Sequence, residues 1–368
     1  MKKIGIDARL YSQTGVGTYI RNLIYELTQV PIKDFEFYLY VLPEDKKKID
    51  NLPSNFICKE APFKWHSYQE QTSYLSLLLR DKLDLMHFTY FSFPILYPRA
   101  YIATVHDLTP LLFKTGKAST KNPFSYFIKH LVFRYVLQWQ VKHALYLITP
   151  TRCIMEELAN KYGSHIKRKI IPIYEGVDYK LTSAKENRSL LKWFNKPFFV
   201  YIGNFYQHKN TNRLIDAFLQ VKTDDVLVLV GPNDYFSSII KQSLVNRDTK
   251  KRVLIFHPED QSDLLFFYKH AKALIHPSLS EGFGLPLIES QYFRLPIIAS
   301  DIPVFKELLG TSYISFNPYD VMDMSVKIES FIKQPIQLQS SKVKLPEQYS
   351  FQHMSKQTLK IYQKALAS

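Results

Sequence analysis

Short apolar runs alternate with helix-length segments along all 368 residues. In the first half the runs are KKIGID, FEFYLYVL (35–42), LDLMHF (83–88), AYIATVHD (100–107), ALYLITPT (144–151) and IIPIYEG (170–176). The second half repeats the plan with PFFVYIGN (197–204), DDVLVLVG (224–231), RVLIFHP (252–258), ALIHPS (273–278), LPIIAS (295–300) and SYISFNP (312–318). These runs are continuously apolar, which predicts parallel strands buried on both faces. Two such sets predict an α/β chain of two Rossmann-like, doubly wound parallel-sheet domains, and the length also favours two cores over one. The polar stretch 178–196 marks the junction. The expected domains are residues 1–185 and 186–350, followed by a helix over 351–368 that is free to pack back on the first. Open α/β sheets bind ligands beyond the carboxyl ends of their strands, so two facing domains would share one cleft.

Hydrophobic residues make up 46% of the chain, enough for both cores, yet no apolar run approaches the roughly 18–20 residues of a membrane span. The start, MKKIGIDARL, has aspartate and arginine where a secretory leader needs an apolar core, so a cytoplasmic protein is expected. Cys58 and Cys153 are the only cysteines, too few for a disulfide framework, and no Cys/His pair has zinc-site spacing. Net charge is +15, with 25 basic and 16 acidic side chains in residues 1–180. Such a field favours an anionic partner: nucleotide, nucleic acid or acidic lipid.

Candidate functional residues follow the predicted strands. Gly15 and Gly17 enter an amphipathic helix beginning near Val16, where backbone amides can approach an anion at the positive helix end. A tight turn explains the same pair equally well. A dinucleotide fingerprint is incomplete because residue 20 is isoleucine, which disfavours a dehydrogenase. His106 and Asp107 end another strand: a histidine that a carboxylate could hold, or a turn histidine beside a helix cap. Gly203 and Asn204 follow the first strand of the second half, and Lys209 precedes a helix whose dipole opposes it unless an anion is bound, or is a common solvated loop lysine. In SEGFGLPLIES, Glu281 lies in a loop with Gly282, Phe283, Gly284 and Leu285, while Glu289 points back toward the start of the following helix. Amides there could meet phosphate, and the two carboxylates could meet hydroxyl groups.

Taken together, DAR…TGVG…YIRNL, TVHDLTP, YEGVD, YIGN…HKN, HPSLSEGFGLPLIE and LPIIASDIP resemble the retaining nucleotide-sugar glycosyltransferases of group 1, with the GT-B fold and the E-x7-E signature. Within that family the chain is similar to a bacterial mannosyl- and rhamnosyltransferase-like subgroup. The resemblance implies that the amides of Gly15 and Gly17 approach the donor, with His106 and Asp107 near the donor sugar and acceptor. It implies that Gly203, Asn204 and Lys209 meet the diphosphate. Glu281 and the amides of 282–285 would meet the sugar, and Glu289 the ribose. It implies transfer of a hexose, mannose from GDP-mannose first, to a glycan acceptor that is often lipid-linked. No cofactor or metal is expected, and D-x-D is absent from the sequence. Three positions depart from the family pattern: Asn204 replaces an arginine, Glu175 an asparagine, and Arg294 a glycine or small residue, this last read as packing variation.

The aromatic and basic segment 121–144, with Lys121, Lys129, Arg134 and Lys142, reads either as a surface helix packed on the core or as an interfacial helix on an anionic membrane. Rival readings are a GT-B epimerase or phosphorylase, a nucleic-acid-binding protein, which lacks a recognisable module, and an inactive relative.

Overall fold

The computed structural model describes residues 1–49, 51–112, 123–248, 251–335 and 345–367. It divides into two compact units. The first comprises Met1–Leu108, Pro123–Gly176 and the segment from Glu347; the second comprises Val177–Pro346, with Thr109–Leu112 grouped beside it. The chain therefore passes from the first unit to the second at Gly176 and returns before the final helix.

The first unit holds strands β1 (Lys2–Asp7), β2 (Phe35–Val41), β3 (Phe56–Glu60), β4 (Leu85–Phe88), β5 (Tyr101–Thr104), β6 (Leu147–Thr149) and β7 (Ile170–Pro172). All pair in parallel in the order β3-β2-β1-β4-β5-β6-β7. The second holds β8 (Phe198–Ile202), β9 (Val226–Val230), β10 (Val253–Phe256), β11 (Leu274–His276), β12 (Ile297–Ser300) and β13 (Ile314–Phe316), also parallel, in the order β10-β9-β8-β11-β12-β13. Strand order reverses between β1 and β4 in one sheet and between β8 and β11 in the other. Those are the switch points at which open α/β sheets leave a crevice.

Twelve of the thirteen strands coincide with the sequence-predicted runs. The thirteenth, β3, is an edge strand in which only Phe56 is buried, so it lacks the continuous apolar run of a central strand. Helices form where the apolar spacing places them. In the helix Thr211–Gln220, Leu214, Ile215, Ala217 and Phe218 lie on one face and are fully buried. Each large apolar side chain there contributes about 1.5–3 kcal/mol. They join Phe199, Leu227, Leu229 and Ile275 in the second unit's core.

The C-terminal helix Phe351–Ala367 packs on the helix Val16–Thr28 and on β4. The Tyr362 hydroxyl lies 2.7 Å from His87 Nδ1, and His87 Nε2 lies 2.8 Å from Thr104 Oγ1. Thr104 in turn meets the Tyr19 hydroxyl at 3.1 Å. One buried polar chain thus ties four elements together. Where the helix begins, its backbone passes so close to Gly176 that a Cβ there would sit 2.5 Å from Phe351 N.

The reading of Arg294 as packing variation is corrected. It follows the helix Leu285–Tyr292 with φ 59°, a left-handed conformation favoured by glycine, so the constraint at this position lies on the backbone.

Candidate functional site

In the second unit the sequence-predicted residues gather at the β8/β11 switch point. Lys209 closes the short turn Gln207–Lys209 after β8, and Glu281 lies in the loop after β11. Lys209 Nζ is 2.6 Å from Glu281 Oε1. The same oxygen accepts from Ser278 Oγ at 2.7 Å and lies 3.1 Å from His276 Nε2. Burial opposes a charge on Glu281, yet Lys209, with His276, holds its carboxyl well below the usual carboxylate range. The same surroundings keep the neighbouring histidines neutral: burial, then Lys209, lowers His208 to about 4, and burial lowers His276 against the pull of Glu281. Glu281 is therefore an anion whose counter-ion is Lys209.

Glu289 is different in kind. It is buried in the helix Leu285–Tyr292, and one oxygen, Oε2, accepts from the Tyr268 hydroxyl. Burial raises its carboxyl to about 7, with the charge of Asp178 adding to the effect and the Tyr268 bond opposing it. The two glutamates are separated by a single loop and hold opposite electrostatic characters.

Gly203 follows β8, so close to the Tyr201 phenol that a Cβ there would lie 2.9 Å from its oxygen, and the Tyr201 hydroxyl donates to the carbonyl of Asn204. The Asn204 side chain accepts from Tyr206 N at 3.4 Å, closing its own turn. After Gly282 and the buried Phe283, Gly284 takes φ 103° as the N-cap of the helix that Leu285 opens. A Cβ on Gly284 would also approach Leu287 and Phe305 at 3.2 and 3.3 Å. Neither this helix nor Thr211–Gln220 has a side-chain cap at its start. The helices after β9, β10 and β13 are capped by Asp234, Asp260 and Asp320, whereas the helix Pro303–Leu309 after β12 has no side-chain cap either. At the switch point the helix starts are thus left without the side-chain acceptor that aspartates supply after β9, β10 and β13.

In the first unit, Gly15 caps the helix Val16–Thr28 at φ 65° with no side-chain bond. Gly17 has an internal reason to be glycine: a Cβ would lie 2.7 Å from the Tyr11 carbonyl and 2.8 Å from that of Leu10. His106 is buried, with Nε2 3.0 Å from the Thr89 carbonyl and its ring edge-on to Tyr19 at 4.9 Å. Thr89 Oγ1 donates to the Asp7 carbonyl, so His106 is tied to the β1/β4 switch point. The carboxylate facing His106 Nδ1 is that of Glu175, at 3.3 Å. Asp107 is half-buried, and its charge adds to burial in raising Glu157.

Sequence reasoning missed His276, Ser278, Tyr268 and Glu175 as site residues. Ser278 and His276 stand three and five positions before Glu281 in the same strand-to-loop turn, a local signal that was available. Tyr268 comes from a distant segment and carried none, while Glu175 stood out only as a departure from the family pattern. Among the described residues, no group of three or more His, Cys, Asp or Glu side chains is arranged to hold a metal ion.

Residues 13–181 match the family Glycosyltransferase Family 4, and residues 183–349 match Glycosyl transferases group 1. The chain is 28% identical to the O-antigen chain mannosyltransferase RfbU of Salmonella typhimurium, over 74% of this chain and 72% of that one. It is 23% identical to O-antigen chain mannosyltransferase B of Escherichia coli, over 86% and 87% respectively. Among solved structures, sucrose-phosphate synthase from Thermosynechococcus elongatus superimposes with a TM-score of 0.76 at 15% identity, covering 100% of both chains. Anabaena HepE in complex with UDP-glucose gives 0.76 at 13% identity, over 99% of this chain and 100% of that one. Two sheets ordered about their switch points, with a family match on each half, make this chain a GT-B-fold member of the group 1 glycosyltransferases.

Proposed function

We propose that the chain transfers a hexose, mannose from GDP-mannose first, from a nucleotide diphosphate sugar to a hydroxyl of a lipid-linked glycan during surface-polysaccharide synthesis. The observation that carries this reading is the Lys209–Glu281 contact between two helix starts that lack side-chain caps. A diphosphate needs fixed positive charge where its leaving oxygen develops negative charge, and Lys209 with the positive ends of the two helices supplies it. Glu281 then presents a carboxylate to sugar hydroxyls, and Glu289 one to the ribose. In this scheme the anomeric configuration is retained, no metal takes part, and the departing phosphate accepts the acceptor's proton. Glu281, already ion-paired and far below neutral in pKa, is a poor base and is assigned to binding. The names of the two mannosyltransferase relatives support the choice of sugar and of a polysaccharide product.

The same reading sets the enzyme against an anionic membrane surface. On the helix Pro123–His143, Leu137, Gln140, Val141 and the following Ala144 pack inward, whereas Leu131, Val132 and Tyr135 are 46%, 57% and 57% exposed, with Arg134 and Lys142 also exposed on the same helix. That combination suits an interfacial helix. Lys121 of the sequence-predicted segment lies outside the described residues, and the Lys129 side chain is likewise not described. Among the described residues, no helix is long and apolar enough to cross a membrane.

The donor reading is tested by thermal shift and turnover with GDP-mannose, dTDP-rhamnose and UDP-hexoses. One donor raises the melting temperature and is consumed only when acceptor is present; Lys209→Ala lowers turnover about 100-fold or more with the fold intact. Full turnover in Lys209→Ala, or consumption of donor without acceptor, contradicts it.

A further inference from the structure

We infer that His276 is a positioning residue, one that fixes Glu281 for the transferred sugar by donating from Nε2 to Oε1 and keeps it fixed when Lys209 turns to the donor's phosphates. The inference rests on the donor-site reading above. Three donors converge on Glu281 Oε1, and none of them is bonded to Oε2. Such one-sided satisfaction stops the carboxylate from rotating and leaves the second oxygen for an outside hydroxyl.

The three donors are not equivalent. Lys209 carries its ammonium on a flexible stem, and a diphosphate competes with Glu281 for it. His276 and Ser278 are fully buried at the end of β11. The His276 ring is 1% exposed, near-parallel to Tyr201 at 5.8 Å and 5.5 Å from Phe305. They stay in place when Lys209 leaves.

The polarity of His276 is fixed as well. Its Nδ1 is buried with no hydrogen-bond partner among the described residues. A proton there would be a buried donor lacking an acceptor, so the ring keeps its one proton on Nε2, where the ionised Glu281 accepts it. Burial disfavours the charged ring in the same sense. Glu281 thus has a donor that does not depend on the bound state of Lys209. Because His276 touches Glu281 rather than the nucleotide, its loss belongs in turnover and not in nucleotide affinity.

The test uses the full chain carrying His276→Phe, His276→Gln or Ser278→Ala. Titration with GDP is expected to give affinities within about threefold of the parent for all three. Turnover of GDP-mannose falls about tenfold or more in His276→Phe and Ser278→Ala, and is largely recovered in His276→Gln, whose amide nitrogen replaces Nε2. The long-range 1H–15N spectrum of the ligand-free parent shows His276 protonated at Nε2 and bare at Nδ1. Unchanged kcat in folded Ser278→Ala and His276→Phe, or a proton on Nδ1, overturns the role. If His276→Phe does not fold, Ser278→Ala and the spectrum decide. A parent that binds neither GDP nor GDP-mannose overturns the donor reading itself, whereas a bound donor with undisturbed turnover overturns only the role of His276.

Discussion

At the scale of single residues, Glu289 shows how a buried carboxyl group is held at a cost to the fold. An ordinary glutamate titrates near 4.5, and burial with Asp178 brings this one to about 7. Between those values the folded chain keeps a proton that the unfolded chain has released. Stability therefore falls as pH rises through that window, and the cost, up to about 3 kcal/mol, is complete above it. Glu289→Gln removes the charge and retains an acceptor for Tyr268. It is expected to be more stable than the parent at pH 8 by up to about 3 kcal/mol and nearly equal at pH 4. Urea denaturation at the two pH values checks this; a gain that is the same at both removes the explanation. Both glutamates were legible in the sequence, because their spacing across a strand, loop and helix start is local. Their partners were legible only in part. Tyr268 reaches Glu289 from the helix Gln261–His270, a neighbour that tertiary packing alone selects.

At the scale of elements, the polar chain Tyr362–His87–Thr104–Tyr19 joins two helices to two strands in the first unit. Burial, and then His106, lowers His87 to about 3, so its ring is neutral in the fold. The unfolded chain takes up a proton near pH 6.5 that the folded chain refuses. Stability is present above that value and is lost as pH falls toward 3, by at most about 5 kcal/mol. His87→Gln is expected to cost about 1–3 kcal/mol at pH 7 through the broken network, and to flatten the acid-side decline. Denaturation midpoints from pH 7 to 4 report this, and parallel curves for variant and parent contradict it. The strands of this element set were readable because parallel strands buried on both faces leave continuous apolar runs. The exception, β3, is half-covered at the sheet edge, and its sequence FICKE carries little of that signal. Glu175 was unreadable as a partner of His106 for a related reason: strands β5 and β7 come together only through β6.

At the scale of the whole molecule, net charge and exposed apolar side chains both bear on the proposed membrane contact. The sequence carries a net +15, and Leu131, Val132 and Tyr135 stand exposed on a helix that also exposes Arg134 and Lys142. Sedimentation with vesicles is expected to show binding to anionic lipid that weakens with salt, and loss of that binding when all three side chains become serine. Equal binding to neutral vesicles, or an unaffected triple variant, contradicts a lipid-facing helix. The return of the chain to its first unit has a consequence for synthesis. Residues 177–346 are made before the helix that covers β4 and the helix Val16–Thr28, so the first unit waits for it. At about 5–20 residues per second that wait lasts roughly 10–30 s. Throughout it, His87 and Tyr19 lack their cover. Apart from the grouped segment Thr109–Leu112, the second unit is continuous in the chain after Gly176, so it is complete before that helix is made and can fold ahead of the first.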